Sequence, residues 1–146
     1  MRVAVDTNTL ASGVLGPLSS PPARLITAWR EDLFTLVISE HILIELERTL
    51  HKPFFAQRLS PHVVSSFVHL LRRAAFLAPA PGRLQSVATH PEDDRVLEAA
   101  LTGRAAYLVT GDRKLQDLRS FEGVRIISPR QFLLPLTRLR KGGGLT

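Results

Sequence analysis

The chain has no cysteine among its 146 residues. A disulfide framework and a thiolate metal site are both excluded, and a reducing, cytoplasmic setting is the expectation. Long apolar runs are missing too: none approaches the roughly 20 residues that a membrane span needs. No secretory leader is expected, because strand-like residues start at once and an acid arrives at position 6. Tryptophan and tyrosine occur once each. Trp29 shares a helix face with Leu25 and Ile26 and is expected in the core rather than as a platform for bases. No internal repeat is visible.

What is present is globular. Hydrophobic residues make up 45% and charged residues 22%, enough to bury a core in one ordinary domain. That domain is expected over residues 1–137, followed by a basic, glycine-rich and disordered tail at 138–146. The net charge of +6 is uneven. Residues 1–112 balance eleven basic against eleven acidic side chains, whereas residues 113–146 hold eight basic and two acidic ones. A basic C-terminal third suits an anionic partner such as nucleic acid, or a solvated tail.

The order of elements alternates. Val3-Ala4-Val5 reads as a strand buried on both faces and runs straight into Asp6-Thr7-Asn8-Thr9. A short helix follows to Leu15, then a helix from Pro22 to Arg30 with Ser20 as its cap. Phe34–Ile38 is a second strand. Ser39 caps a helix from Glu40 to about His51, whose apolar stripe is Ile42, Leu43, Leu46 and Leu50. Glu45 and Glu47 lie on opposite borders of that stripe, and spacing does not choose between them. Pro53–Arg58 is a short helix or turn, and Ser60-Pro61 opens a longer helix. Phe76-Leu77-Ala78 reads as an edge strand because Pro79 and Pro81 follow. Residues 79–91 read as loop. Pro91 opens a helix with Glu92, Asp93 and Asp94 in its first turn, more acid than the macrodipole requires. Tyr107-Leu108-Val109 is a strand ended by Thr110-Gly111-Asp112. Val124–Ile127 is the last strand, and Ser128-Pro129 starts a helix through about Leu136. This alternation predicts an α/β fold with a parallel sheet.

Asp6 and Asp112 therefore both end strands, where ligands bind in open α/β sheets; Asp6 is also a suitable helix cap. Glu45, Asp93 and Asp94 start or border helices, and all of these acids converge if the first and fourth strands are neighbours. Several carboxylates in one crevice repel one another, and a divalent cation removes the conflict. An all-oxygen donor set suits Mg²⁺ or Mn²⁺ rather than zinc. Thr7, Asn8 and Thr110 are placed to position ligands or water. His41, His51, His62 and His69 are read as surface or helix-end residues without a partner at metal-ligand spacing, while His90 lies close to the acids.

Five segments together resemble the PIN-domain family, specifically its VapC-like toxins of toxin–antitoxin systems. They are VAVDTNTLAS at 3–12, SEHILIELERTL at 39–50, PEDDRVLEAAL at 91–101, AYLVTGDRKL at 106–115 and VRIISPRQFL at 124–133. The resemblance implies a three-layer fold with strand order 3-2-1-4-5 and a Mg²⁺- or Mn²⁺-dependent ribonuclease. It implies Asp6, Glu45, Asp94 and Asp112 as the catalytic and metal-binding acids, with Asp93 close behind Asp94 for the third place. Asn8 and Thr110 match polar support positions. It further implies a homodimer held inactive by an antitoxin protein. Two positions depart from the pattern: many relatives carry acids where His90 and Lys114 stand. One metal is still accommodated, and the two departures count against a second without deciding between one metal and two. Lys114, with Arg113 beside it, is a candidate contact for RNA phosphate. Two rival readings are a non-catalytic partner-binding module and a DNA-directed nuclease of the flap-endonuclease kind, for which the chain is short.

Overall fold

A computed structural model describes residues 1–88 and 90–142, and side chains as far as Arg138. In chain order the elements are β1 Arg2–Val5, α1 Thr7–Leu15, α2 Pro21–Arg30, β2 Thr35–Ile38, α3 Glu40–Leu50, α4 Pro53–Ala56, α5 Pro61–Ala74 and β3 Phe76–Leu77. Then come α6 Pro91–Thr102, β4 Tyr107–Val109, α7 Arg113–Gln116, β5 Ser120–Phe121, β6 Val124–Ile127 and α8 Pro129–Gly142. The expected alternation is therefore present. Each helix start has a local cause. Ser20, Ser39 and Ser60 accept hydrogen bonds from the amides of Ala23, Ile42 and Val63, and prolines open α2 and α5. Ser128 and Gln131 exchange reciprocal side-chain-to-amide bonds of 3.1 and 2.9 Å, a capping box for α8.

The sheet order is β3-β2-β1-β4-β6-β5. Every pair is parallel except β5 with β6. The expected order 3-2-1-4-5 is its parallel part, with β6 as the fifth strand. The additional β5 is two residues long, too short for an apolar pattern. It returns through Glu122 and Gly123, both at positive φ (46° and 89°), as the two-residue hairpin turns with matching twist require. Phe76 and Leu77 do form an edge strand.

The core sits where the sheet is covered. Val3, Ala4, Val5, Val37, Ile38, Leu108 and Val109 have no exposed surface, as a central parallel sheet flanked by helices demands. Trp29 is buried in this core. Helix α6 packs on β1 and β2, α1 on α2 and α3, and α2 on α8. Strand order reverses between β1 and β4, so their carboxyl ends open on one crevice. Of the expected tail, residues 138–142 continue α8, and residues 143–146 lie outside the described residues. No helix among the described residues is long and apolar enough to cross a membrane.

Candidate metal centre

Asp6 does two things at once. It is the N-cap of α1, with Oδ1 accepting the Thr9 amide at 2.9 Å. Its Oδ2 accepts the hydroxyl hydrogen of Thr110, at the end of β4. Thr110 in turn accepts the Asp112 amide at 3.0 Å, and its carbonyl is held by Gln116 Nε2 at 2.7 Å. One threonine thereby ties the tips of β1 and β4 together and fixes the orientation of both acids. Asp112 caps α7 through Oδ1, which takes the amides of Lys114 (2.9 Å) and Leu115 (3.4 Å). Among the described residues its Oδ2 receives no hydrogen bond.

The third acid of the cleft is Asp93, and Asp94 is turned away. Asp93 lines a cavity of about 310 Å³ together with Asp6, Asn8, Gly111 and Asp112. No hydrogen-bond donor among the described residues reaches its carboxylate. Asp94 is 5% exposed, and its two oxygens accept the amides of Ser86 (3.1 Å), Val87 (3.1 Å) and Ala88 (2.7 Å). The physical reason is helical geometry: consecutive residues on a helix point about 100° apart, so only one of them faces the crevice. Four residues on, Glu98 lies on the Asp94 side and accepts the amides of Gly82 (2.7 Å), Arg83 (2.7 Å) and Leu84 (3.0 Å). Runs of successive amides converging on a carboxylate form anion nests. Two such nests pin residues 82–88 between β3 and α6. Gly82 reaches its nest at φ 88°, a left-handed conformation that glycine adopts without strain.

The electrostatics separate the two groups. Burial pushes the Asp6 carboxyl up from its ordinary value, and the Asp112 charge adds to this. Its bonds from Thr110 and Thr9 oppose the rise without cancelling it. Asp93 is pushed up to about 6 by burial and by the charges of Asp112 and Asp6, with Asp94 adding and His90 opposing. Glu98 goes the other way. Burial disfavours its charge, but the three amides and Arg95 outweigh that and hold it below the ordinary range. Three carboxylates in a cleft that cannot all carry charge comfortably are matched to a hard divalent cation, and their oxygens are the donors such an ion takes.

Glu45, rather than Glu47, faces this region. It lines a second cavity, of about 210 Å³, with Asp6, Thr7, Asn8, Asp93 and Lys52. His41 and Glu92 line the same cavity. His41 was expected to be a surface residue without a metal-spaced partner; instead Glu45 stands four residues on, and one ligand atom from each of His41, Glu45 and Glu92 lies within 4.8 Å of the others. His90 is exposed at the N-cap of α6 and makes no side-chain cap bond. Arg113 and Lys114 are exposed on α7 and line neither acidic cavity. Lys52 is the lysine that does, and no pattern in the sequence marked it. A larger cavity of about 530 Å³ lies between α2 and α8 against Ala28, Leu33, Leu133 and Leu136. It gathers no cluster of acids and is not where hydrolytic chemistry would be housed.

Comparison with known families bears on the whole arrangement. A family model described as PIN domain matches residues 2–114, a span that includes Asp6, Glu45, both acids of the α6 start and Asp112. No match to a curated protein accompanies it.

Proposed function

The chain belongs to the PIN-domain family, and on that premise we propose that it is a metal-dependent endoribonuclease hydrolysing RNA phosphodiester bonds. The observation that carries this reading is the meeting of Asp6, Asp93 and Asp112 at the β1–β4 crevice. Mg²⁺ or Mn²⁺ is the cofactor; when bound, such an ion stabilises charge on the phosphate and makes water a better nucleophile. Asp6, Asp93 and Asp112 would hold it, with Asp93 taking the place that sequence matching gave to Asp94. Thr110 keeps the Asp6 carboxylate aimed, and Asn8 and Thr7 hydrogen-bond to water or substrate at the cavity wall. Glu45 orients the attacking water from the other side. Lys52 is the cation best placed to meet an RNA phosphate, ahead of Arg113 and Lys114.

The finer assignment is a VapC-like toxin, acting as a cytoplasmic homodimer under the control of an antitoxin. It is supported by the resemblance of the five segments. A basic antitoxin side chain among the cleft acids would neutralise them as a metal does. Exposed Ile44, Phe54 and Val63 on α3, α4 and α5 supply apolar surface for a protein partner.

The test is cleavage of a mixed single-stranded RNA by antitoxin-free protein in Mg²⁺, in Mn²⁺ and in EDTA, beside Asp6→Asn. Metal-dependent cutting that vanishes in the variant is expected. A folded wild type that neither cuts nor binds metal would instead be a partner-binding module, the reading that Lys114 favours by replacing an acid.

A further inference from the structure

We propose that His41, Glu45 and Glu92 form a second metal position, chemically different from the three-aspartate cleft and adjoining it. His41 and Glu45 are one helical turn apart on α3, which puts both on one face. Glu92 reaches them from the first turn of α6, and His41 Nε2 meets Glu92 Oε2 at 2.7 Å. With one donor atom from each within 4.8 Å of the others, side-chain rotations that exchange the His41–Glu92 hydrogen bond for metal contacts would bring all three onto one ion at about 2.1 Å.

The competing bonds are weak or leave room. Glu45 uses Oε1 on Arg48 at 2.7 Å, and the Arg48 side chain is 71% exposed, a pair of the solvated kind that holds little. Glu45 Oε2 and Glu92 Oε1 receive no hydrogen bond among the described residues. Both side chains share the 210 Å³ cavity with Asp6 and Asp93, so the position opens on the cleft and not on a separate surface.

The donor set fixes the preference. Three carboxylates suit Mg²⁺ or Mn²⁺, whereas an imidazole shifts selectivity toward Zn²⁺, Co²⁺ or Ni²⁺. The two positions would therefore take different ions. The proposal rests on the nuclease reading for its catalytic meaning, but the binding it predicts can be read without any turnover.

The probe is Co²⁺, followed by its visible absorption, with excess Mg²⁺ present to occupy the cleft. Wild type should bind one Co²⁺ per chain. Asp112→Asn should retain that Co²⁺. His41→Ala and Glu92→Gln, both at solvent-accessible side chains, should each weaken it by more than about tenfold, the cost that loss of even a supporting partner can reach. Co²⁺ binding unchanged in His41→Ala and Glu92→Gln but lost in Asp112→Asn would overturn the second position while leaving the nuclease reading intact. A wild type that binds neither Mn²⁺ nor Co²⁺ would overturn both.

Discussion

The first two turns of α6 carry two kinds of carboxylate. Asp94 and Glu98 each end on three backbone amides of residues 82–88. Asp93, next to Asp94 in the chain, faces Asp6 and Asp112 and has its carboxyl pushed up to about 6. One side of the helix satisfies its negative charge with protein; the other gathers charge that the protein leaves unanswered. The difference teaches which acids build the domain and which equip it. Residue type is the same, and helical roll decides.

The largest effect that would sharpen this contrast is on chemistry. Asp6→Asn, Asp93→Asn and Asp112→Asn should each lower kcat/KM for RNA cleavage by about a thousandfold or more, roughly 4 kcal/mol of transition-state stabilisation. Each should fold normally by circular dichroism. Next comes stability. Asp94→Ala strands the amides of Ser86, Val87 and Ala88, and should cost about 3 kcal/mol in urea unfolding. Glu98→Ala should cost a similar amount and open residues 82–88 to proteolysis. Both should still cut RNA well below their unfolding midpoints. A destabilised Asp93→Asn, or an Asp94→Ala of native stability, would break the comparison.

Metal binding should act on one group alone. Mn²⁺ at about one hundred times its Kd stabilises a folded protein by about 2.7 kcal/mol, a rise of roughly 5–10 °C in Tm for a chain of this size. Wild type and Glu98→Gln should show the rise, and Asp112→Asn should not.

The smallest effect is the dependence on pH, where the two groups have opposite signs. The raised Asp93 costs the metal-free protein stability while it is ionised. As pH falls from 7 through about 6, the folded state takes up that proton first and the cost is relieved. The lowered Glu98 contributes stability that is present above its unfolded value of 4.5 and is lost as pH falls below it. The Tm of the metal-free protein should therefore hold or rise slightly from pH 7 to pH 5 and then fall. Asp93→Asn should reduce the rise to the part that the raised Asp6 contributes, and Glu98→Gln should soften the fall.

Much of this was legible in the residues. Strands read from short apolar runs appear with bounds close to those expected, and acids at strand ends do meet where strand order reverses. Glu45 and Glu47 are symmetric about their stripe; the resemblance chose Glu45, and the packing of α3 turns it to the cavity. The choice between Asp93 and Asp94 depends on how α6 rolls against β1 and β2, which the motif does not encode. The stretch 79–91 reads as loop because the order of residues 82–88 is imposed from outside, by carboxylates on α6. The signal available was Glu98, an acid at i+4 from Asp94 beside the buried Leu97 and Ala99. The pair His41 and Glu45 was likewise visible as an i, i+4 spacing, but Glu92 comes to it only through the fold.

The most direct measurement is Mn²⁺ affinity for wild type, Asp93→Asn and Asp94→Asn, at a temperature where all three are folded. The account predicts that Asp93→Asn loses at least about tenfold in affinity, while Asp94→Asn binds like wild type and is the less stable protein. Loss of Mn²⁺ binding in a fully stable Asp94→Asn, with Asp93→Asn unaffected, would contradict it.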